Sequence, residues 1–479
     1  MKQLIRFIYL LIISSSLFAC KKDSSSDNNS VKFTILYTND EHGWMEPTAE
    51  YGGAAGISGL WKTRENYYGS DPYLVLSGGD MWTGPAISTW FKGEPMAAAM
   101  NEMGYDAAAI GNHEFDFTVD ILKVRLQQMN FPILAANLKE KSTGNIPAFV
   151  KPYIIKTIND IKVGIIGLAS LSTPFTGFPD YVADYEFTNY AEAVDTYAPI
   201  VQSEGADIIL IIGHICRDEM EALVPTAKKY NIPFIGGAHC HQSVLQVTDG
   251  VVLAQTNGEL REYVKVELGY DKTNKSVKIV SKEAVANKGT TVDTKVEEIV
   301  MFWQNKADEA LSEEIGYCSS TIFQSSVAMG NMVCDSWFYT FPDADISITN
   351  DGGIRQDIVS GAIQLETIVG LLPFDNSILK LELTGAQLLD CIDNYLVGGM
   401  KTIGGNTLSD GTPIDANTTY TVLTTDYLYS LSNSDFGKYD LTPENTSVHY
   451  RQPLIDWIKS LNTSASNPLN NYLDNNPRR

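Results

Sequence analysis

The sequence predicts an α/β fold whose functional residues lie in loops at one edge of a sheet. Short runs of β-branched, aromatic and small apolar residues recur along the first half of the chain and have the length of buried strands. Several runs end in loops rich in glycine, aspartate and histidine, and five of the six histidines occupy such loops. Open α/β folds place their ligands at this edge, beyond the carboxyl ends of the strands.

The segment 111–116 is the centre of this pattern. It follows the apolar run 107–110, which is typical of a buried strand end. Gly111 permits a tight turn, so Asn112 and His113 are expected to emerge at the edge of the sheet. For this segment alone, the alternative is a loop in which both side chains satisfy only local hydrogen bonds.

The composition limits the classes of partner. With 479 residues, 44% of them hydrophobic, the chain has the size of two or three globular domains. A net charge of -23 argues against a nucleic acid polymer or an anionic membrane surface as the main partner. An anionic small-molecule substrate would need local attraction, which metal ions can supply.

The first 31 residues predict a targeting segment and a tether. Residues 1–19 have the pattern of a signal peptide, with a basic start and an apolar run that is too short to span a bilayer comfortably. Residues 17–20 resemble the bacterial lipobox, in which Cys20 would be lipidated. The alternative is ordinary cleavage nearby with an incidental cysteine. Residues 20–31 are polar and predict a flexible tether.

The next two strands predict loops with carboxylates and a histidine. The strand predicted at 31–37 leads to Asp40 and His42, which would face the same side of an extended backbone and suit one metal ion. The strand predicted at 73–76 leads to Asp80 after two glycines. A carboxylate there can bridge two cations, although it is also a good helix N-cap.

Two later strands lead to the remaining histidine loops. The run 207–212 precedes His214, and the run 231–235 precedes His239 and His241. In an extended backbone these last two would share a face. Cys240 between them is interpreted as a small buried residue that points away from the metal. The sequence does not decide whether any cysteines form disulfides, and His449 is expected to be an ordinary surface residue.

Further elements follow from apolar spacing. We expect helices at 91–103, at 292–311 and from residue 330, and strands at 252–268, 276–279, 345–349, 379–384 and 420–425. The helix at 292–311 carries an apolar stripe and is interpreted as a core helix that also connects two domains. Phe374 follows a proline in a predicted exposed turn, and Tyr427 lies just past a strand. For both rings the alternative is packing in the core.

Five loops thus supply seven oxygen or nitrogen ligands. Seven is the number of ligands that two four-coordinate metal shells require when they share one carboxylate. Two cations roughly 3.5–4 Å apart can clamp a phosphate. A mixed carboxylate, amide and imidazole set suits Mn, Zn or Co, with Mg also possible. The seven predicted ligands are Asp40, His42, Asp80, Asn112, His214, His239 and His241.

These motifs carry a family resemblance. Residues 33–241 closely resemble the calcineurin-like metallophosphoesterases in their D-x-H, G-D, G-N-H-[ED], G-H and closing histidine-pair motifs. Residues 330–436 resemble the C-terminal domain of bacterial 5′-nucleotidases through G-N-x-V-C-D, N-x-G-G-I-R and L-P-F. The resemblance implies a four-layer α/β/β/α metallophosphoesterase sandwich at 32–285, a linker with a helix at 286–317, and an α+β substrate-binding domain at 318–479.

The resemblance also implies roles. Asp40, His42, Asp80 and His241 would hold one metal, and Asp80, Asn112, His214 and His239 the other. A hydroxide bridging the metals would attack phosphorus in line. His113 would stabilise the transition state or protonate the leaving oxygen, oriented by Asp116. The implied substrate contacts come from the second half of the chain: Asn350, Arg355, Phe374 and Tyr427.

The expected function is therefore release of phosphate from nucleotides by a lipid-anchored cell-envelope enzyme, with the outer membrane as the expected location. The chain departs from the family pattern near the expected pocket, at 322–329, 397–403 and 431–436. Two alternatives stay open. One is a phosphatase or phosphodiesterase for other small esters, such as 2′,3′-cyclic nucleotides or nucleotide sugars. The other is a surface binding lipoprotein without turnover.

The lipobox generates the first testable prediction. Cys20→Ser should move the protein from the membrane fraction to the soluble envelope fraction, because the lipid would be its only anchor. Fractionation followed by immunoblotting measures this. A variant that stays equally membrane-bound would show that Cys20 does not carry the anchor.

Overall fold

The computed structural model describes residues 30–69, 72–401, 406–431 and 435–478. The predicted signal peptide, Cys20 and nearly all of the predicted tether lie outside these residues. Within them, no helix is both long and apolar enough to cross a membrane.

The first part of the chain forms two six-stranded sheets and a small two-stranded one. Its strands are β1 (Ser30–Thr38), β2 (Tyr73–Ser77), β3 (Ala107–Ala109), β4 (Ile133–Leu134), β5 (Leu138–Glu140), β6 (Tyr153–Ile158), β7 (Ile161–Leu168), β8 (Tyr185–Phe187), β9 (Ile208–Gly213), β10 (Phe234–Gly236), β11 (Val244–Thr248), β12 (Val251–Gln255), β13 (Glu262–Asp271) and β14 (Ser276–Ala286). The large sheets have the orders β14-β13-β1-β2-β3-β4 and β11-β12-β10-β9-β7-β6, and β5 pairs with β8.

Helices cover the outer faces of both large sheets. The helices of this part of the chain are α1 (Gly53–Thr63), α2 (Ala86–Thr89), α3 (Glu94–Met103), α4 (Thr118–Gln128), α5 (Thr173–Thr176), α6 (Tyr190–Ser203), α7 (Arg217–Lys229) and α8 (Thr294–Leu311), with 3₁₀ turns at His113–Phe115 and Pro179–Val182. Strand β1 shows the layering, since successive side chains of a strand point to opposite faces. Ile35 lies in the core between the sheets, whereas Leu36 packs under α1, α3 and α8. The predicted four-layer α/β/β/α sandwich is confirmed.

The central strands of both large sheets are parallel. In the first sheet β1, β2 and β3 run in the same direction, and in the second β7, β9, β10 and β12 do so. These strands are almost completely buried, because helices cover one face and the other sheet covers the second. Their carboxyl ends therefore meet along one edge, where the loops that follow β1, β2, β3, β9 and β10 converge.

The second part of the chain is an α+β unit around a five-stranded sheet of order β19-β16-β20-β18-β21. Its strands are β15 (Glu314–Cys318), β16 (Ile346–Thr349), β17 (Gly361–Gln364), β18 (Ser377–Thr384), β19 (Leu396–Gly398), β20 (Thr419–Thr425) and β21 (Glu444–His449). Its helices are α9 (Val327–Thr340), α10 (Leu365–Leu371), α11 (Gly385–Cys391), α12 (Asp426–Ser430), α13 (Phe436–Tyr439) and α14 (Gln452–Leu461), with 3₁₀ turns at Asp351–Gly353 and Leu469–Tyr472.

Some predicted elements differ from the structure. The strand expected at 252–268 is two strands, β12 and β13, which belong to different sheets. Between them Gly258, Glu259 and Leu260 have φ of 83°, 55° and 51°, so the chain turns sharply within an apolar stretch. Helix α9 begins at Val327, three residues before the predicted start, because the side chain of Ser326 caps it by accepting the N–H of Met329.

Helix α8 packs into the core of the first domain, as the core-helix interpretation predicted. Val296, Val300, Trp303 and Ala307 lie in the same cluster of buried residues as the apolar faces of α1 and α3. The ring of Trp303 lies 5.0 Å from that of Phe91.

Candidate metal centre and substrate pocket

The structure brings all seven predicted ligands to the edge where the two large sheets meet. They lie on the loops that follow five parallel strands, β1, β2, β3, β9 and β10. Six of them fall into groups whose ligand atoms lie within 4.8 Å of one another: Asp40 with His42 and His241, and Asp80 with His214 and His239.

The first group is formed by Asp40, His42 and His241. The Nε2 atoms of the two histidines lie 3.2 Å apart, and Nε2 of His241 lies 3.7 Å from Asp40 Oδ1. Nδ1 of His42 lies 2.8 Å from the carbonyl oxygen of Thr83, to which it donates. This fixes the tautomer of His42 and leaves its Nε2 lone pair directed at the centre of the group.

The second group is formed by Asp80, His214 and His239. Nε2 of His214 lies 2.9 Å from Asp80 Oδ2 and 3.1 Å from His239 Nδ1. The outer nitrogens have partners of their own, since His214 Nδ1 lies 3.0 Å from Gly78 O and His239 Nε2 lies 3.0 Å from the hydroxyl of Ser172. Asp80 Oδ2 is also 3.9 Å from His42 Nε2, so this carboxylate lies between the two groups.

Asn112 is the seventh predicted ligand. Its Nδ2 donates to the carbonyl of Thr176 over 3.2 Å, which orients the amide. Its Oδ1 is buried and has no hydrogen-bond partner within the described residues. Because a buried polar atom without a partner is costly, this oxygen fits the role of a cation ligand.

The electrostatics of the two groups fit a cation site. Burial raises the pKa of Asp40. Burial also disfavours the charged form of Asp80, but the facing imidazoles of His214 and His113 hold its pKa well below the usual range. Burial lowers the pKa of His42 well below the usual range and that of His239 to about 4, so both are neutral and competent to ligate. The oxygen and nitrogen donors present therefore fit divalent cations.

The backbone of these loops differs from the prediction. The φ angles are 50° at Asp40, 46° at His42, 76° at His239 and 47° at His241. Neither the pair Asp40 and His42 nor the pair His239 and His241 therefore lies on an extended backbone. The expectation that His239 and His241 share one face is wrong, because the left-handed turns send them to different groups.

The interpretation of Cys240 as a buried residue is also wrong. Cys240 is exposed and forms a disulfide with Cys216, with the Cα atoms 5.3 Å apart. The left-handed residues on either side turn its side chain outward. Cys216 is the residue that precedes α7. The other cysteines in the described part of the chain are free and buried.

His113 lies beside the second group. Its Nδ1 lies 2.8 Å from Asp116 Oδ2, and its backbone N–H donates to Asp80 Oδ1 over 2.8 Å. Burial opposes a charge on this imidazole, yet Asp116 and Asp80 raise the pKa of His113. One face of the ring stacks on Phe374, with centroids 5.6 Å apart and an interplanar angle of 23°.

Two buried glutamates in the loops were not assigned a role from the sequence. Glu114 accepts the backbone N–H groups of Asp80, Met81 and Gly111 over 2.6–2.9 Å, and so ties two loops together. Glu41 accepts hydroxyl hydrogen bonds from Thr38 and Ser77 over 2.5 and 3.0 Å. In the sequence Glu41 lies between Asp40 and His42, and Glu114 follows His113 within the G-N-H-[ED] motif, but an acidic residue at such a place is equally typical of an exposed loop.

A cavity of about 300 Å³ adjoins the metal groups. Asn350, Arg355, Phe374 and Tyr427 line it, together with Asp80, Asn112 and His113. Two aromatic residues of the first domain also line it and were missed by sequence reasoning. They are Phe178 and Tyr181, whose rings stack with centroids 4.6 Å apart.

Phe374 and Tyr427 both contact core and cavity. Each is partly buried and packs against the apolar core of the second domain. Phe374 nevertheless stacks on His113, and the guanidinium carbon of Arg355 lies 5.9 Å from the Phe374 ring centroid. The hydroxyl of Tyr427 donates to the carbonyl of Phe175 over 3.1 Å, which joins the second domain to the first.

His449 is not an ordinary surface residue, contrary to the prediction. It ends β21, is partly buried, and its Nε2 lies 3.5 Å from Asp375, the residue after Phe374. Lys92 of the first domain and Arg451 approach the same carboxylate to 3.4 and 3.5 Å. These partners support the segment that carries Phe374.

Comparisons with known proteins agree with this arrangement. The family model of the 5′-nucleotidase C-terminal domain matches residues 311–436. Protein UshA of Escherichia coli is 28% identical over 452 residues, which cover 81% of this chain and 81% of UshA. The 5′-nucleotidase of Bos taurus is 29% identical over 413 residues, covering 74% of this chain and 70% of that protein.

Solved structures show the same fold. The 5′-nucleotidase precursor of Thermus thermophilus has a TM-score of 0.77 at 19% identity, covering 91% of this chain and 97% of its own. The sulfate thiohydrolase SoxB of the same organism has a TM-score of 0.69 at 15% identity, covering 90% of this chain and 94% of its own. The relatives and the solved structures thus resemble this chain over most of its length. The chain contains a 5′-nucleotidase C-terminal domain at residues 311–436 and is similar over both of its domains to 5′-nucleotidases.

Proposed function

We propose that this protein releases phosphate from nucleotides at a site that holds two divalent cations. The observation that carries the proposal is the position of Asp80. Its carboxylate lies between two groups of ligands, and it lines a cavity that Arg355, Phe374 and Tyr427 of the second domain also line. A phosphate can therefore lie against the metal groups while the rest of the substrate contacts the second domain.

The proposed ligands divide as the two groups suggest. Asp40, His42, Asp80 and His241 would hold one cation, and Asp80, Asn112, His214 and His239 would hold the other. Mn, Zn or Co suits this donor set best, with Mg possible. Such cations supply Lewis acidity toward the phosphoryl oxygens and lower the pKa of a bound water.

His113 and Asp116 provide the acid–base component of the proposal. Because Nδ1 of His113 is held by Asp116, its Nε2 is the nitrogen available to a substrate in the cavity that both residues line. The raised pKa of His113 favours the protonated ring. It can then stabilise charge on the phosphoryl group or donate a proton to the leaving oxygen.

The second domain would recognise the nucleoside. Arg355 provides a fixed positive charge for phosphate, and Asn350 provides an amide for hydrogen bonds to phosphate or ribose. Phe374 and Tyr427 would stack on the base. Stacking tolerates every base, so weak discrimination between purines and pyrimidines is expected.

A second candidate function is hydrolysis of another small phosphate ester, such as a 2′,3′-cyclic nucleotide or a nucleotide sugar. The departures from the family pattern at 397–403 and 431–436 favour it, because they lie in the substrate-binding domain. Part of each segment lies outside the described residues. A binding protein without turnover is disfavoured by the His113–Asp116 pair, which a simple binder does not need.

The test is phosphate release from a panel of nucleotides, cyclic nucleotides, nucleotide sugars and sugar phosphates, each with Mn, Zn, Co or Mg. Highest kcat/KM on nucleoside monophosphates supports the first proposal. Preference for another ester supports the second candidate. Bound metal without turnover on any of them supports a binding protein.

We also propose that the protein is a cell-envelope lipoprotein at the outer membrane. The support is the lipobox at 17–20 and the polar segment 20–31. The proposed contact with the membrane is through the lipid at Cys20 only. A nucleic acid polymer is not proposed as a partner.

The metal centre gives the second prediction. Asp80→Ala should remove more metal than Asn112→Ala, because Asp80 is proposed to contact both cations. Elemental analysis of the purified variants measures metal per chain. Asp120→Ala is the matched control, since its side chain is 93% exposed on α4. Full metal content in Asp80→Ala would refute the bridging assignment.

The third prediction concerns His113. His113→Ala should lower kcat by about 10²–10⁴-fold, because the residue acts on the transition state. Metal content should persist, and added imidazole should partly restore kcat by occupying the space of the missing ring. A rise in KM with unchanged kcat would contradict this role.

The fourth prediction concerns substrate choice. Phe374→Ala should raise KM for a nucleotide, because one stacking contact is worth roughly 1–3 kcal/mol. Hydrolysis of a simple aryl phosphate should change little. Phe323→Ala is the control, since this phenylalanine of the same domain is 60% exposed. An equal loss on both substrates would mean that Phe374 is structural, and no change would remove it from the pocket.

A further inference from the structure

The disulfide between Cys216 and Cys240 links two of the loops that carry the proposed ligands. Cys216 lies two residues after His214, and Cys240 lies between His239 and His241. One covalent bond therefore connects loops with members in both metal groups. None of the roles proposed above for binding or catalysis involves this bond.

The Cys216 end of the bond is firmly held. Cys216 is the N-cap residue of α7, and its backbone N–H donates to Glu219 Oε2 over 2.8 Å. The neighbouring Ile215 is fully buried, and its carbonyl accepts the N–H of Ala238 over 2.9 Å. Cys216 is thus a fixed point against which the other loop can be positioned.

The 239–241 loop needs such a point. Both histidines have positive φ, a backbone conformation that persists only where the surroundings enforce it. His239 is held in place by its N–H bond to Asp40 and its ring bond to Ser172. His241 has a side chain that is 35% exposed, and its Nε2 lies 3.7 Å from Asp40 Oδ1 and 3.2 Å from His42 Nε2.

We propose that the Cys216–Cys240 disulfide positions His239 and His241 for cation binding, and that its reduction weakens cation retention. This inference rests on the proposed metal centre. The cysteines act as positioning residues and contact no substrate. Since disulfides persist in oxidising compartments, the bond is compatible with the proposed envelope location.

The bond is open to reduction because Cys240 is exposed. A phosphine reductant attacks one sulfur, the S–S bond breaks, and water converts the phosphine to its oxide while both cysteines become thiols. The sheet beneath should remain, because β9 and β10 stay paired through Ile211 with Ile235 and Ile212 with Gly236. Loss should therefore be confined to the loop.

The test compares the oxidised protein, the same protein reduced by a phosphine, and the double variant Cys216→Ser/Cys240→Ser. Zinc retention is titrated against a chelator, and metal per chain is measured by atomic emission. Alkylation and mass spectrometry establish the disulfide state. We expect a loss of roughly 10–100-fold in zinc affinity in the reduced and double-serine forms, the size usual for groups that orient ligands.

Three controls isolate the cause. The reductant should not change zinc retention in the double variant, which excludes metal binding by the reductant itself. Cys318→Ser, at a free buried cysteine, should retain zinc as the unaltered chain does. Melting in excess chelator separates a general loss of stability from a loss of zinc affinity.

Equal zinc affinity in the oxidised and double-serine proteins would overturn this inference but not the proposed function. A mass that shows free thiols at Cys216 and Cys240 in the purified protein would do the same. A lower melting temperature without loss of zinc affinity would likewise assign the bond a purely structural role. Absence of any divalent cation binding in the oxidised protein would overturn both this inference and the proposed function.

Discussion

Two buried carboxylates, Asp40 and Asp80, are the constraint on which the rest of the site depends. They are 0% and 2% exposed, at the junction of two sheets with apolar cores on either side. An ionised carboxylate in such a place must face positive charge and hydrogen-bond donors, because its hydration has been removed. The structure surrounds both with imidazoles and backbone N–H groups. Buried carboxylate oxygens and imidazole nitrogens that converge in this way are the ligand atoms that a cation site requires.

Close packing of the loops follows from the same constraint. Glu114 gathers three backbone N–H groups from two loops, and its effect depends on the absence of a side chain at Gly111. A Cβ atom there would lie 2.0 Å from Asp80 Oδ1. The glycine that the sequence indicated as a turn is thus also required for space. The position of Asp80 thus also depends on Glu114 and Gly111, to which no role in metal or substrate binding is assigned.

The sequence predicted which loops form the site better than it predicted the conformation and contacts of the residues within them. Runs of apolar residues ending in glycine located the strands, and parallel strands bring their carboxyl ends together without further information. The same patterns could not reveal left-handed backbone at Asp40, His42, His239 and His241, since only the fold enforces it. Nor could spacing show that Cys240 pairs with Cys216, because cysteine contacts between distant loops leave no local periodicity. Phe178 and Tyr181 were missed for a similar reason, as aromatic residues in a loop look alike whether they pack or line a cavity.

The proposed chemistry and the proposed recognition fall largely in different domains. All seven proposed ligands and His113 belong to the first domain, which also contributes Phe178 and Tyr181 to the cavity. The cavity wall beyond them comes mainly from the second domain, and its position depends on contacts between domains, such as the bond from Tyr427 to Phe175 and the pair of Lys92 with Asp375. The stack of His113 on Phe374 makes this dependence direct, because one ring of each domain forms the contact. Under the proposed function, residues at this interface could therefore alter substrate choice without altering the metal centre. The departures of this chain from the family pattern, at 322–329, 397–403 and 431–436, accordingly leave every proposed ligand in place.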